Sequence, residues 1–325
     1  MRHTVQCRNA SEAAQMLRAG QLVAFPTETV YGLGADAKNC HAVAGIFESK
    51  QRPSFDPLIV HVASVAHAAS LVTQFPEAAQ LLAERFWPGP LTLVLPKTND
   101  IPDLVTSGLP GVGIRIPAHP LALEILTAAG CPVAAPSANP FSGISPTTAQ
   151  HVLDGLDGRI DGILDGGPCG VGVESTVVSL MDAHPTLLRP GGLPVEDIES
   201  VIGPLQRPAP VSADEQPQPA PGMLTRHYAP KTPLVLVAAT AELPDFPEKR
   251  CGLLTWGSMD LADTGRFDYV EQLSSSGDLR TCAAGFFGAL RRLDSTAPDM
   301  IIARRFPETG LGVALNDRLL RASAK

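Results

Sequence analysis

Several chemistries are missing from this chain. It has no G-x-x-x-x-G-K-[ST] loop, no H-E-x-x-H pair and no G-x-S-x-G elbow, so a P-loop cradle, a zincin-type metal site and a hydrolase-type serine are excluded. The six cysteines, Cys7, Cys40, Cys131, Cys169, Cys251 and Cys282, are widely scattered, with no C-x-x-C and no histidine at zinc spacing. They read as reduced, mostly buried thiols rather than a disulfide frame or a metal site. No apolar run is long enough to span a bilayer. The opening MRHTVQCRNASEAAQ lacks the apolar core of a signal peptide, so a cytoplasmic protein without a membrane partner is expected. A formal charge of −8 and a pI near 5.5 weigh against a broad basic face for nucleic acid, while leaving room for a local basic pocket. Repeats, heptads and acidic tails are absent as well.

What is present is ample core material: 44% of 325 residues are apolar, and that length exceeds what one core normally serves. Two domains are therefore expected. The composition changes abruptly over 204–222, PLQRPAPVSADEQPQPAPG, where proline, alanine, glutamine and serine replace large apolar residues, as in an extended linker. The boundaries read as a first domain at 1–203, a linker at 204–230 and a second domain at 231–325. Short apolar runs at 22–25, 58–62, 91–95, 112–116, 132–135, 160–164 and 173–180 read as strands, interleaved with segments of helical periodicity. Ser11 is the expected N-cap of an opening helix, with Gly20 as its stop. The fold class is α/β, with a mixed sheet because some links are too short for parallel crossovers. Beyond the linker, runs at 233–237, 251–255 and 300–303 read as three strands. Leu279, Cys282, Ala283, Phe286, Phe287 and Leu290 mark one face of a helix, giving a smaller Rossmann-like α/β unit. It lacks G-x-G-x-x-G, so nothing marks it as a nucleotide site.

The densest polar chemistry lies at 22–61. An apolar run ends at Pro26, and Thr27, Glu28, Thr29 and Tyr31 follow where a strand end meets a loop broken by Gly32 and Gly34. A helix then runs to about Ser49, with Lys50 and Arg52 at its end and Pro53 forbidding continuation. Two cations there fit either a solvated terminus that complements the helix dipole, or a phosphate clamp in which lysine is a point charge and arginine a fork. Elsewhere Arg115, Arg189, Ser137, Asn139, Ser145, Ser175 and Thr176 fall at inferred strand ends or loops. Such a set suits anions that are positioned rather than attacked covalently. Each also has a structural reading: Arg115 pairs with a carboxylate such as Glu174, Ser137 and Asn139 form turns, His61 is structural, Glu28 and Glu174 orient donors, and Arg189 caps a sheet edge.

FPTETVYGLGAD (25–36), K-x-R-P (50–53) with PLIVH (57–61), WPGPLTLVL (87–95), GVGIRIPAHP (111–120), APSAN (135–139), GVESTVV (172–178) and LLRPG (187–191) occur in the order found in the YrdC-like threonylcarbamoyl-AMP synthases. HYAP (227–230) is similar to the signature of the long, two-domain members, so the resemblance covers about the whole chain. It implies a YrdC-like domain with a twisted mixed sheet flanked by helices, followed by the smaller domain. It also implies a nucleotidyltransferase that makes threonylcarbamoyl-AMP and pyrophosphate from L-threonine, bicarbonate or carbon dioxide, and ATP, with Mg²⁺ accompanying the ATP. Carried over residue by residue, Tyr31, His61, Arg115 and Ser175 contact threonine. Lys50 and Arg52, the catalytic cations, hold the nucleotide together with Asp56, Ser137, Asn139, Ser145, Arg189 and Tyr228, the last folding over the pocket as part of a lid. Asp56 departs from members with asparagine there, and a carboxylate beside phosphates needs a metal or Arg52 to offset it. The product is expected to feed a separate transferase complex acting on tRNA, which leaves direct contact with tRNA open.

Two rival readings belong to the same fold. One is a module for double-stranded RNA or tRNA, which the acidic balance disfavours. The other is an enzyme forming carbamoyl adenylate from carbamoyl phosphate, whose known representatives carry acylphosphatase and zinc-finger modules that this chain lacks.

Overall fold

The computed structural model describes residues 3–207, 218–239, 242–244, 246, 248–259 and 265–324, so part of the expected linker lies outside the described residues. The first domain contains β1 (Val5–Gln6), β2 (Val23–Phe25), β3 (Gly32–Asp36), β4 (Ile59–His61), β5 (Leu91–Pro96), β6 (Gly111–Arg115), β7 (Val133–Ala134), β8 (Gly162–Ile163), β9 (Thr176–Ser179) and β10 (Thr186–Arg189). Its helices are α1 (Ala10–Arg18), α2 (Cys40–Lys50), α3 (Val65–Ser70), α4 (Glu77–Phe86), α5 (Asp103–Thr106), α6 (Pro120–Ala129), α7 (Ala149–Leu156) and α8 (Val195–Ile202). Among the described residues the ten strands form one mixed sheet in the order β1-β8-β2-β3-β7-β4-β6-β5-β9-β10. β4 pairs parallel with β6, which sets His61 beside Arg115, and β5 pairs parallel with β9, which sets Leu91 beside Thr176. β2–β3, β3–β7 and β5–β6 are antiparallel, as the short link between β2 and β3 requires of that pair.

Two local expectations are corrected. The stretch expected to be a glycine-broken loop is β3, in the interior of the sheet. Gly34 is there for close approach: a Cβ on it would lie 2.7 Å from the Phe25 ring and 2.9 Å from Val133 Cγ1. α1 starts earlier than expected because Asn9, rather than Ser11, is its cap, accepting from the Glu12 N–H at 3.0 Å while Glu12 accepts from the Arg8 N–H at 2.8 Å.

α2 buries Ala42, Val43, Ile46 and Phe47 on its inner face, and Lys50 follows on the same side. Gln51 closes the helix in the left-handed region with φ 55°. Lys50 is 1% and Arg52 7% exposed, which excludes the solvated-terminus reading.

The second domain has β11 (Leu234–Val237), β12 (Cys251–Thr255), β13 (Tyr269–Gln272), α9 (Leu279–Ser295), β14 (Met300–Arg304) and α10 (Leu311–Ser323). Its sheet runs β11-β14-β12-β13, all parallel among the described residues. The run at 300–303 is therefore the fourth strand, not the third. β13 is an edge strand whose residues alternate half-buried and exposed, so it has little apolar signal. α9 buries the expected stripe from Cys282 to Leu290 and adds Ala289 and Leu293, while Leu279 at its first position is half-buried. The two domains share a core: Val30, Ile144 and Val173 pack in the same apolar cluster as Tyr228, Phe286, Phe287 and Leu290. The approach is close. Gly172, at φ +79°, carries no side chain because a Cβ would lie 2.2 Å from the Ala283 carbonyl of α9. No described helix is long and apolar enough to cross a membrane.

Candidate active site

One cavity gathers the polar residues. Thr27, Thr29, Arg52, His61, Arg115, Ser137, Glu174, Ser175 and Arg189 line it from the first domain, and Pro221, Gly222, His227 and Tyr228 close it from the linker. Its volume of about 50 Å³ leaves room for little more than a water or two. The linker fills much of the space. Arg189 Nη1 donates to the Pro221 carbonyl at 2.9 Å, and a Cβ on Gly222 would lie 2.5 Å from Tyr228 Oη. Tyr228 is 1% exposed, with φ 61°, and its ring lies 4.0 Å from the His227 ring and 5.7 Å from that of Phe287.

Five buried cations surround this cavity, and they differ in what balances them. Arg115 Nη2 donates to Glu28 Oε1 at 2.6 Å and its Nε to the Gly89 carbonyl at 3.2 Å. Its carboxylate partner is Glu28, which corrects the expectation of Glu174. Arg52 Nη2 meets Asp56 Oδ2 at 2.9 Å and donates to the Pro57 carbonyl at 2.8 Å, supplying the offset that Asp56 was expected to need. Arg318, from α10, meets Glu174 Oε2 at 3.0 Å. Lys50 and Arg189 have no carboxylate in contact among the described residues. Lys50 Nζ donates to the Ser137 carbonyl at 2.6 Å and to that of Asn139. Arg189 Nη2 donates to the Ser175 carbonyl at 3.0 Å and to Ser175 Oγ at 3.3 Å. Burial pushes the Lys50 ammonium well below its ordinary value, with the Arg52 charge adding to the effect, and burial lowers Arg189 as well. Arg189 in the cavity wall and Lys50 behind it thus carry positive charge that no carboxylate in contact balances, the kind of environment that favours an anion.

Much of the rest of the lining is polar, with paired cations. The β4–β6 register puts His61 next to Arg115, and burial, with the Arg115 charge behind it, pulls the imidazole down to about 3, so it is neutral near pH 7. Its Nδ1 has no hydrogen-bond partner among the described residues. Thr27 and Thr29 hydroxyls lie 2.8 Å apart, and Ser175 Oγ lies 2.8 Å from Thr92 Oγ1.

Of the residues singled out in the sequence, Arg52, His61, Arg115, Ser137, Ser175, Arg189 and Tyr228 line the cavity, while Lys50, Asp56, Asn139 and Ser145 stand behind its wall. Asn139 Nδ2 donates to the carbonyls of Pro140 and Gly143, both at 2.9 Å, and its Oδ1 is buried and unpartnered. Ser145 Oγ donates to Glu174 Oε1. Tyr31 does not line the cavity: its hydroxyl lies 3.1 Å from Asp165 Oδ1 and 2.8 Å from the Gly167 carbonyl, and it accepts the Gly166 N–H at 3.1 Å. Sequence reasoning missed His227 and Arg318. The signal for Arg318 was there, since it falls on the helical stripe Leu311, Ala314, Leu315, Leu319, Ala322 where an arginine has no reason to lie unless it is paired. Among the described residues no three His, Cys, Asp or Glu side chains gather to hold a metal.

Comparison with known proteins places this geometry. A family model described as "Telomere recombination" matches residues 15–191, and one described as "Threonylcarbamoyl-AMP synthase, C-terminal domain" matches residues 193–324. The threonylcarbamoyl-AMP synthase of Bacillus subtilis strain 168 is 47% identical over 321 residues, which cover 96% of this chain and 92% of the relative. That of Pyrococcus abyssi is 45% identical over 324 residues, covering 96% and 93%. The crystal structure of Pyrococcus abyssi Sua5 complexed with L-threonine superposes with a TM-score of 0.88 at 43% identity, covering 99% of this chain and 97% of that one.

Proposed function

Since this chain belongs to the threonylcarbamoyl-AMP synthase family, we propose that it joins L-threonine, bicarbonate or carbon dioxide, and ATP into threonylcarbamoyl-AMP, releasing pyrophosphate. The threonine amine gives up a proton and bonds to the carbon, forming a carbamate. With bicarbonate as the source, that step also releases water. A carbamate oxygen then attacks the α-phosphorus, and the bond to the β-phosphate oxygen breaks as pyrophosphate leaves. No enzyme nucleophile enters, so catalysis rests on positioning and on neutralising phosphate charge.

The side of the cavity with Arg115 and His61 suits threonine. Arg115 Nη1 carries no hydrogen bond among the described residues, so the guanidinium has a donor for the substrate carboxylate beside the one held by Glu28. Neutral His61 presents one N–H and one unprotonated ring nitrogen rather than a cation that would repel the amine. Lys50 and Arg189 take the phosphate charge, Arg52 supports them with Asp56 as its counter-ion, and Ser137, Asn139 and Ser145 complete the nucleotide wall. Mg²⁺ enters with ATP, held by phosphate oxygens and water, since Asp56 is committed to Arg52. Tyr228 and the Pro221–Gly222 turn leave the space that the nucleotide fills and close over it afterwards, keeping water from the carbamate and adenylate. In the cell the product passes to a transferase complex that modifies tRNA, in the cytoplasm.

The juxtaposition of a carboxylate-binding arginine and a neutral histidine with two uncompensated cations, around one cavity, carries this reading. Purified protein given ATP, Mg²⁺ and bicarbonate should release pyrophosphate only when L-threonine is added, with serine and glycine far less effective. Release that ignores threonine, or none from folded protein that binds ATP, overturns it.

A further inference from the structure

The buried polar groups include one that the proposed chemistry does not use. Arg318 is 0% exposed and belongs to the second domain, yet most of its partners lie outside that domain. Its Nε donates to Glu174 Oε2 at 3.0 Å and its Nη1 to the Pro190 carbonyl at 2.6 Å, both in the first domain, and its guanidinium lies 5.2 Å from the centre of the Tyr228 ring. Asp317, its neighbour, also accepts from Nη1 at 2.9 Å, and is shared with Arg321 at 3.0 Å. Arg321 in turn donates to the carbonyls of Met223 and Leu224, both at 2.7 Å, which tethers the linker. Two arginines and two carboxylates thus form one balanced group. It lies next to the phosphate side of the cavity, where Glu174 is itself a lining residue.

We propose that Arg318 is a positioning residue for the nucleotide, supplied by the second domain: it neutralises Glu174 so that the adjoining cavity accepts a polyphosphate, and it holds Tyr228 over that cavity. The inference rests on the nucleotide-dependent function proposed above and goes further in assigning the second domain a part in it. Without Arg318, Glu174 becomes an uncompensated carboxylate, 6% exposed, in the wall that receives the phosphates. Repulsion across a few ångströms of protein then opposes the attraction of Lys50 and Arg189. Ser145 also loses its fixed acceptor, because an unpaired Glu174 is free to turn away from it.

The test is equilibrium titration with ATP and Mg²⁺ on the full chain, without threonine. Wild-type protein that binds no ATP refutes the functional reading itself, and with it any part for Arg318. With wild-type binding established, Arg318→Met should weaken ATP roughly 10- to 50-fold. Adding Glu174→Gln to that variant should restore affinity to within about threefold, a charge rescue that a merely structural arginine would not show. Unchanged affinity in Arg318→Met, or a loss that Glu174→Gln does not repair, overturns the proposal. Should Arg318→Met fail to fold, Glu174→Gln alone decides. It leaves Arg318 as surplus positive charge and should tighten ATP; unchanged or weaker binding overturns the proposal equally.

Discussion

The buried cations around the cavity are held in two different ways. Arg115 and Arg52 each have a carboxylate, at 2.6 and 2.9 Å, whereas Lys50 and Arg189 rest on carbonyl oxygens and a serine hydroxyl. A paired buried ion has its charge satisfied by the fold, and deleting one partner leaves the other stranded. A carbonyl-held cation is solvated but not neutralised, so the missing charge is left for the ligand to bring. Paired cations should therefore matter to stability and affinity together, and carbonyl-held ones to activity almost alone.

Lys50→Met gives the largest effect and the sharpest test of that contrast. Methionine keeps the apolar stem and removes the charge, so kcat/KM should fall roughly 10²- to 10³-fold. The urea midpoint should stay within the equivalent of about 1 kcal/mol, because the cost of burying an ammonium disappears along with its two hydrogen bonds. Arg115→Met comes next. It should weaken L-threonine about 10- to 150-fold in titration and destabilise the fold by about 3 kcal/mol, since Glu28, with a side chain 14% exposed, loses its counter-ion. If both variants lose the same stability, the distinction between paired and carbonyl-held cations fails.

Much of this architecture is legible in the amino-acid sequence, and the parts that are not share a cause. A strand such as β5 announces itself as an apolar run between Pro90 and Pro96, and the linker by composition. β3 is hidden because Gly32 and Gly34 look like turn residues, and only the Phe25 ring and Val133 beside Gly34 explain why that position is glycine. Residue types in the site are readable, but pairings are not. Which carboxylate meets Arg115 depends on how the FPTET loop returns to the end of β6, so Glu174 and Glu28 are equivalent from sequence. Arg318 meets Glu174 across 144 positions and a domain boundary, and no local pattern encodes such a contact.

A smaller effect separates the neutral side of the cavity by pH. His61 is held at about 3 when folded, against an ordinary 6.5, so between those values the unfolded chain binds more protons. Stability is therefore complete above about pH 6.5 and declines as pH falls through the window. From about pH 6.5 to about pH 5.5 the His61 contribution is about 1 kcal/mol, measurable as a fall in urea midpoint. His61→Gln should make that decline shallower by one proton. It should not abolish it, because His227, also pushed well below its ordinary value by burial and then by Arg52 and Lys50, titrates in the same direction. An unchanged slope in His61→Gln would mean that the imidazole is charged in the folded state, and the amine would then meet a cation.

The smallest expected effect concerns Tyr31. Kinship with the family suggests a threonine contact, but the Tyr31 hydroxyl is shared among Asp165, Gly166 and Gly167, and burial raises its pKa, so it stays a neutral phenol. Removing it in Tyr31→Phe leaves the Gly166 N–H without that acceptor and should cost about 1 kcal/mol of stability, with little change in the KM for threonine. The alternative leaves a different signature. If threonine draws the hydroxyl away from the Asp165 loop, Tyr31→Phe should raise that KM several-fold, and the destabilisation should be smaller with threonine bound than without it. In that case a neutral hydroxyl as well as a cation would be satisfied only by ligand, and the contrast between fold-balanced and ligand-balanced groups would extend beyond charge.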